Sequence, residues 1–407
     1  MVDEDRLSQL PSDLLDYLLD HITKSLDLDD LLRFSCVCKS FRSFSSSLLP
    51  PPHLPWLIVP YGGYFSKKGT IFNKTLGFMS FLNPKKIYKV ELPEIASRRI
   101  CGSCKGGWLI TIHENGDIQL LHPFKKSVIE LPPVTELPNV STAVANNMLV
   151  YFVPNRTMGM NVIESSYMRE FYVYKGVMSS TCPANGIVMV IHGVQRKLAF
   201  CRPRSDKMWR VLRGDNGDFE DIVISKGEFY AVQDGGHVFV ICGLDSSSPF
   251  VKLVIAEPSK RIYLKKHLVE SHGELFLLTR VRYPMEPGDE EAHLTMAFMI
   301  MKINVSEPKW VFPENIDKDC AMFVGCNESF SLLTSRVPAC KGNSIYFTDD
   351  CLEPFMAHRL ENFVEESYGG HDIGIYNNAD DVFDRFYPST SSLLVKPPPV
   401  WFSTSLL

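Results

Sequence analysis

Five short stretches repeat one design at a nearly constant interval: GGWLITI from Gly106, NNMLVYF from Asn146, NGIVMVI from Asn185, KGEFYAV from Lys226 and HGELFLL from His272. Each sets a small or polar turn residue before a run of bulky apolar ones, as a hairpin strand does. Their second residues, Gly107, Asn147, Gly186, Gly227 and Gly273, follow one another after 40, 39, 41 and 46 positions by subtraction. KGNSIYF from Lys341 repeats the design after a longer gap. Further strands fill the intervals, as in GDIQLLHP and SVIELPP after the first repeat, or KLAFCRP and MWRVLRG after the third. An interval near forty residues is that of a four-stranded propeller blade, here read as inner, middle and outer strands from the repeat onward. Such a sheet cannot cover both of its faces, so the blades must stack around an axis. The stretch from Trp56 onward, at about forty residues per blade, predicts an all-β propeller of six to eight four-stranded blades. A sandwich or jelly roll would not impose so regular an interval. PPPVWF, from Pro397 to Phe402, suits a short strand that pairs with the first blade and latches the ring, since Trp401 and Phe402 would otherwise be exposed.

The N-terminal stretch follows a different period. In LPSDLLDYLLDHITKSLDLDDLLRFSCVCKSFRSF, Leu10 to Phe44, the residues Leu14, Leu15, Leu18, Leu19 and Ile22 fall on one side of a helix. Pro11 and Ser12 are start signals, and Asp13 lies in the first turn, where the helix dipole favours an anion. Asp29 and Asp30 open a second helix with Leu31, Leu32 and Phe34; Val37, Cys38, Phe41 and Phe44 give a third stripe. So short a unit cannot bury that many leucines alone, and the surplus implies a partner surface. SFSSSLLPPPHLP then runs serines into three prolines, a semi-rigid spacer. The resulting division is a small all-α domain over 1–48, a proline-rich linker over 49–56 and the propeller over 57–407.

The order LP, LLxxLLxxI and DLLRFSCVCKSFRS resembles an F-box, with Val37 to Ser43 its most specific part. The resemblance implies a helical plug that docks on the small adaptor linking it to a cullin ubiquitin ligase. The docking residues it points to are Leu10, Pro11, Leu14, Leu15, Leu18, Leu31, Leu32, Val37, Cys38 and Phe41. Phe41 stands where the family usually has Trp; it keeps the aromatic bulk and loses only the indole N–H. FVGCNESFSLL (323–333), KGNSIYFTDD (341–350), GGHDIGIYN (369–377) and the segment 386–406 resemble the tail of a plant family. That family joins an F-box to a KIB-type propeller. CKGGWLIT, CRPRSDKMWRVL and KGEFYAVQDGGHVFVI fit the same family in the same order. The family motifs carry no catalytic signature.

Composition narrows the classes. A formal net charge of -5 argues against a nucleic-acid binder, and the lysine pairs are scattered. The acidic start, MVDEDRLSQL, is not a secretory signal, and no apolar run approaches a membrane span. Eleven scattered cysteines then read as reduced thiols of the cytoplasm or nucleus. Cys101-Gly-Ser-Cys104 has redox spacing but leads into a hairpin rather than a helix, and reads as a pair of strand cysteines. His113, His192, His237 and His272 fall near recurrent turns without forming a ligand pair, and no phosphate loop or nucleophile elbow is present. Asp349 and Asp350 follow the strand Ile345–Phe347 and read as turn caps. No cofactor, metal or catalytic residue is expected.

The reading is a non-catalytic substrate receptor of an SCF-type ligase: the F-box binds the adaptor and through it a cullin, and the propeller binds a target protein. Its competitors are a regulatory protein that blocks its target without degradation, and a propeller enzyme or carbohydrate binder.

Overall fold

A computed structural model of the chain describes residues 55–60, 74–80, 83–145, 147–156, 159–256, 264–282, 294–313, 316–337, 340–350, 372–385 and 398–403, with Tyr17 and His21. Among these residues the strands form seven sheets. The first holds β1 (Pro55–Pro60), β2 (Thr75–Ser80) and β3 (Asn83–Glu91). Next come β4 (Arg98–Cys104), β5 (Trp108–His113), β6 (Ile118–His122) and β7 (Ser127–Glu130), then a three-stranded sheet of β8 (Ser141–Ala145), β9 (Met148–Pro154) and β10 (Met160–Glu164). Two regular antiparallel sheets follow: β11 (Val173–Met178), β12 (Val188–His192), β13 (Lys197–Cys201) and β14 (Arg210–Val211); β15 (Phe219–Ser225), β16 (Glu228–Gln233), β17 (Val238–Cys242) and β18 (Phe250–Ile255). The sixth holds β19 (Lys265–Ser271), β20 (Glu274–Arg282), β21 (Thr295–Asn304) and β22 (Lys309–Val311). The last holds β23 (Cys320–Val324), β24 (Phe330–Leu333), β25 (Ser344–Phe347), β26 (Gly374–Asn377) and β27 (Val382–Arg385), with β23 and β25 parallel. Finally β28 (Val400–Ser403) returns to the first sheet and pairs with β1, Trp56 opposite Phe402.

The repeated strands of the sequence are β5, β12, β16 and β20, each second from the axis, and β25, third in its sheet behind β24 and β23. Their alternate side chains face opposite neighbours, so both faces are buried and the strand reads as an unbroken apolar run. In β5, Leu109 packs with Trp56, Phe78 and Phe402, while Ile110 and Ile112 pack with Val188 and Val190. In β12, Met189 and Ile191 face Ile222 and Phe229. In turn Val232 of β16 meets Leu268 and Leu277, and Phe276 and Leu278 of β20 meet Ile345 and Phe347. Tyr346 closes the circuit against Leu57, Val59 and Trp401. Six core clusters thus lie in sequence around an axis.

The strand nearest the axis precedes the repeated one, contrary to the expected order. It is β4, β11, β15 or β19, with β24 and β28 in the remaining sheets. These strands carry Lys175, Asp221 and His267, and the charges hid them from an apolar-run reading. NNMLVYF departs from the expectation too. It forms β9 of the three-stranded sheet, which stands outside this circuit. β4 packs directly on β11 past it, so closely that a Cβ on Gly102 would lie 2.2 Å from the Gly176 carbonyl oxygen. Trp209 in the β13–β14 connection spans the same joint, its indole N–H donating to the Pro132 carbonyl at 2.8 Å. Trp310 of β22 makes the equivalent bond to Ala256 at 2.7 Å.

The inner strands run from an upper face, which carries the β5–β6, β12–β13 and β16–β17 turns, to a lower one. Pro55 pairs with Ser403, so the chain before β1 joins at the lower face. The C-terminal strand is the expected latch. Trp401 and Phe402 are fully buried, and the Trp401 indole donates to the Val324 carbonyl at 2.9 Å. Trp401→Ala is expected to cost about 3–5 kcal/mol, from the cavity and the orphaned carbonyl. A lowered urea midpoint, measured by tryptophan-independent far-UV circular dichroism, checks it.

Candidate functional site

Two places on this body invite a functional reading, the axis and the upper rim. At the axis, residues 326–329 leave β23 and cross the middle of the ring before β24 begins. Asn327 donates to Ser103 of β4 and to the Trp401 carbonyl, and its own Oδ1 accepts the Trp401 N–H at 3.2 Å. Ser329 Oγ accepts from Lys175 of β11 at 3.3 Å and donates to Asp221 of β15 at 3.2 Å. The axis is therefore filled by the chain itself: Asn327, Glu328 and Ser329 are all buried.

A chain of buried ions extends from this plug. Lys175 pairs with Asp221, whose carboxylate also accepts the backbone N–H groups of Ile222 (2.7 Å) and Leu268 (2.9 Å). His267 lies between Asp221 (Nδ1 to Oδ2, 3.6 Å) and Asp350 (Nε2 to Oδ2, 2.6 Å). Arg280 then donates to Asp350 at 2.8 Å, to Asp372 at 2.7 Å, to Thr295 Oγ1 at 2.6 Å and to the Thr348 carbonyl at 2.7 Å. Its guanidinium lies 4.8 Å from the centre of the Phe347 ring. Arg282 also pairs with Asp350. Each sign of charge meets its opposite, which is what allows ions to remain so deep.

Burial alone would raise the Asp221 carboxyl, but Lys175 and His267 outweigh it and hold it at about 2. Burial pushes His267 down to about 3, against the pull of Asp221, so its imidazole is neutral at physiological pH. Burial lifts Glu328 to about 7, opposed by Lys105 and Lys175.

Serine, histidine and aspartate share this centre, yet the order is wrong for nucleophilic catalysis. The Ser329 hydroxyl donates to Asp221 rather than to His267, and Lys175, Asp221, His267 and Asp350 are all buried. The network is a structural clamp. Asp350, read from the sequence as a turn cap, is instead the anion shared by His267, Arg280 and Arg282; Asp349 is buried beside it. The signal that could have revealed these residues was a charge placed inside a strand, as in FEDIVIS, KKHLVES and LTRVR.

The other candidates fall as follows. Cys101 and Cys104 are buried in β4, and burial pushes the Cys101 thiol up to about 11 and raises Cys104 as well, so neither is a reactive thiolate. His113 bonds Asn115 Oδ1 at 2.7 Å on the upper face, and His192 is buried against Tyr172. Among the described residues no group of His, Cys, Asp or Glu is placed to hold a metal ion. Leu10, Pro11, Leu14, Leu15, Leu18, Leu31, Leu32, Val37, Cys38 and Phe41 lie outside the described residues. Tyr17 and His21, helical and exposed, stack with ring centroids 6.3 Å apart.

At the upper rim the three-stranded sheet rests on the joint between β4–β7 and β11–β14. Tyr151 and Val153 point into that joint, the Tyr151 hydroxyl donating to the Glu114 carbonyl at 2.9 Å. Gln195 donates to the Asn155 carbonyl at 2.8 Å, and Arg156 pairs with Asp218 at 2.6 Å. The opposite face of this sheet is turned to solvent.

Comparison with known proteins gives two family matches, a KIB1-4 beta-propeller over residues 78–377 and an F-box domain over residues 7–52. The chain is similar to the F-box protein SKIP23 of Arabidopsis thaliana, 28% identical over 98% of this chain and 95% of that protein. The F-box protein At2g26160 of the same plant is 23% identical over 87% of this chain and 98% of its own. Among solved structures, apo AztD from Citrobacter koseri covers 87% of this chain and 99% of its own, at 9% identity and a TM-score of 0.32.

Two outcomes follow, one for the clamp and one for the buried His192. Asp221→Asn strands the buried Lys175 ammonium without a countercharge, an expected loss of about 3–5 kcal/mol in urea unfolding. His192 is pushed to about 4 by burial and then by Lys197, and neither ring nitrogen has a partner among the described residues. The unfolded imidazole takes a proton near 6.5 and the folded one does not until about 4, so stability is full above 6.5 and falls as pH drops below it. Between pH 7 and pH 5 the wild type should lose about 2 kcal/mol more than His192→Leu, read from parallel denaturation curves.

Proposed function

The chain belongs to the F-box proteins that carry a KIB1-4 β-propeller, and on that premise we propose that it is the substrate-recognition subunit of an SCF-type cullin ubiquitin ligase. The observation that carries the reading is the pairing of an F-box match over 7–52 with a β body that begins at Pro55 and is closed by its own C-terminal strand. The first domain binds the adaptor, and through it the cullin; the second holds a target protein. The receptor supplies proximity, raising the effective concentration of target lysines near the ubiquitin donor.

In this reading Leu10, Pro11, Leu14, Leu15, Leu18, Leu31, Leu32, Val37, Cys38 and Phe41 form the adaptor-binding surface, with residues 1–48 as its domain; of the 49–56 expected as a semi-rigid spacer, Pro55 and Trp56 already belong to β1. The six core clusters, each between two neighbouring sheets, support a ring of six blades with the β8–β10 sheet as an insertion. The filled axis argues that the target meets a face or rim rather than a central channel. No described helix is long and apolar enough to cross a membrane, and the site of action is the cytoplasm or nucleus.

The test is capture of the full chain by purified adaptor and cullin, wild type against Leu14→Asp/Leu18→Asp. Adaptor affinity should fall about a hundredfold or more in the variant, with an unchanged circular dichroism spectrum. Equal capture of both chains, or none of the wild type, overturns the reading.

A further inference from the structure

The β8–β10 sheet has no part in closing the ring, yet it is built to hold a strand at its edge. All five residues of β8, Ser141 to Ala145, are exposed, and among the described strands β8 is bonded only to β9. None is charged and none is proline, the residues by which exposed edges are ordinarily guarded. Ala145 pairs with Met148 and closes the hairpin. In such a pair the two residues bond each other, so Ser141, Ala143 and Ala145 bond inward to β9. Thr142 and Val144 then turn their N–H and C=O groups outward.

The pairing also sorts the side chains by face. Ser141 stands opposite Phe152, Ala143 opposite Val150 and Ala145 opposite Met148, with Val162 opposite Phe152 in turn. Tyr151 and Val153 face the ring, so this other set faces solvent. Met148, Met160 and Val162 are 55%, 48% and 61% exposed. The small Ser141, Ala143 and Ala145 make a shallow trough beside Phe152 and Val150.

We propose that β8 takes up an extended segment of the target protein as an added strand, with alternate apolar side chains lying over Ala143 and Ala145 toward Val150 and Phe152. The inference rests on the receptor reading and names how that receptor would hold its target. The row of unpaired backbone groups selects extended polypeptide, and main-chain bonding supplies the affinity while the trough supplies the choice of side chain. A second copy of this chain is the poorer occupant. Two five-residue strands of about 17 Å with small side chains would bury well under the roughly 1,200 Å² of a stable protein interface, whereas a short peptide needs no more. The sheet lies on the upper face, and the chain before Pro55 joins at the lower one, so a segment held here leaves that junction free.

The probe is an array of short synthetic peptides alternating apolar and polar residues, screened with the full chain. The strongest binder is then measured by fluorescence polarisation. N-methylation of every second residue in one register should abolish binding, and methylation in the other register should leave it. Val144→Pro, which removes an outward N–H, and Ala143→Lys, which fills the trough, should each weaken it about tenfold or more. Ala143→Lys sits on an exposed position, so it decides the matter even where the proline disturbs β8. The proposal is overturned if no peptide binds below about 1 mM, if both methylated registers bind alike, or if Ala143→Lys binds as wild type. It is overturned too if light scattering shows a dimer that Ala143→Lys dissolves. Adaptor capture by Ala143→Lys is measured alongside and should be unchanged. Peptide binding with no adaptor capture by the wild type would sink the ligase reading and leave strand capture by β8 standing, with its occupant no longer a ligase target.

Discussion

A strand that is apolar on both faces has to be covered twice. β5, β12, β16, β20 and β25 are such strands, and β1 joins them with Trp56 and Ile58 on one side and Leu57 and Val59 on the other. Each sheet therefore needs two neighbours, and the only arrangement that leaves none uncovered is a circuit. Everything else in the body follows from meeting that demand at the tightest point. Where β4 meets β11 the backbones approach until only Gly102 and Gly176 fit. Across the gap between first and last sheets, β28 supplies the missing inner strand.

Closing a circuit leaves a hole, and the inner strands present polar side chains to it because no apolar neighbour stands on that side. The protein fills the hole with Asn327, Glu328 and Ser329 and compensates the ions around them. Asp221 shows how: Lys175, the Ser329 hydroxyl and two backbone N–H groups all converge on it. Such a network contributes little net stability over an apolar core, but it tolerates no wrong partner. It fixes how β11, β15, β19 and β20 meet at the centre.

The body was legible in the sequence where burial is two-sided, since an unbroken apolar run such as WLITI or IVMVI needs no partner to be recognised. That signal misleads where one-sided burial imitates it. MLVYFV in β9 is as apolar as β5, yet only Tyr151 and Val153 are fully buried; nothing in its composition separates core-facing from solvent-facing residues. The inner strands escape an apolar-run reading for the opposite reason, because Lys175, Asp221 and His267 interrupt the apolar pattern and their partners lie far off in sequence. The latch was readable because Trp401 and Phe402 after prolines had no other shelter. The leucine stripe near the start is legible from its spacing, whereas its reading as an F-box comes from the resemblance, and the docking residues lie outside the described part of the chain.

The pairing of β28 with β1 also orders events in time. Val400 follows Ile58, its partner, by more than three hundred residues, and a ribosome adding about 5–20 residues per second takes tens of seconds to cover that distance. Throughout that interval Leu57 and Ile58 wait beside an empty place, and every other sheet can assemble before theirs. Until β28 arrives the ring stays open at that seam, and an unpaired strand edge of this kind is the sort of surface through which nascent chains join one another.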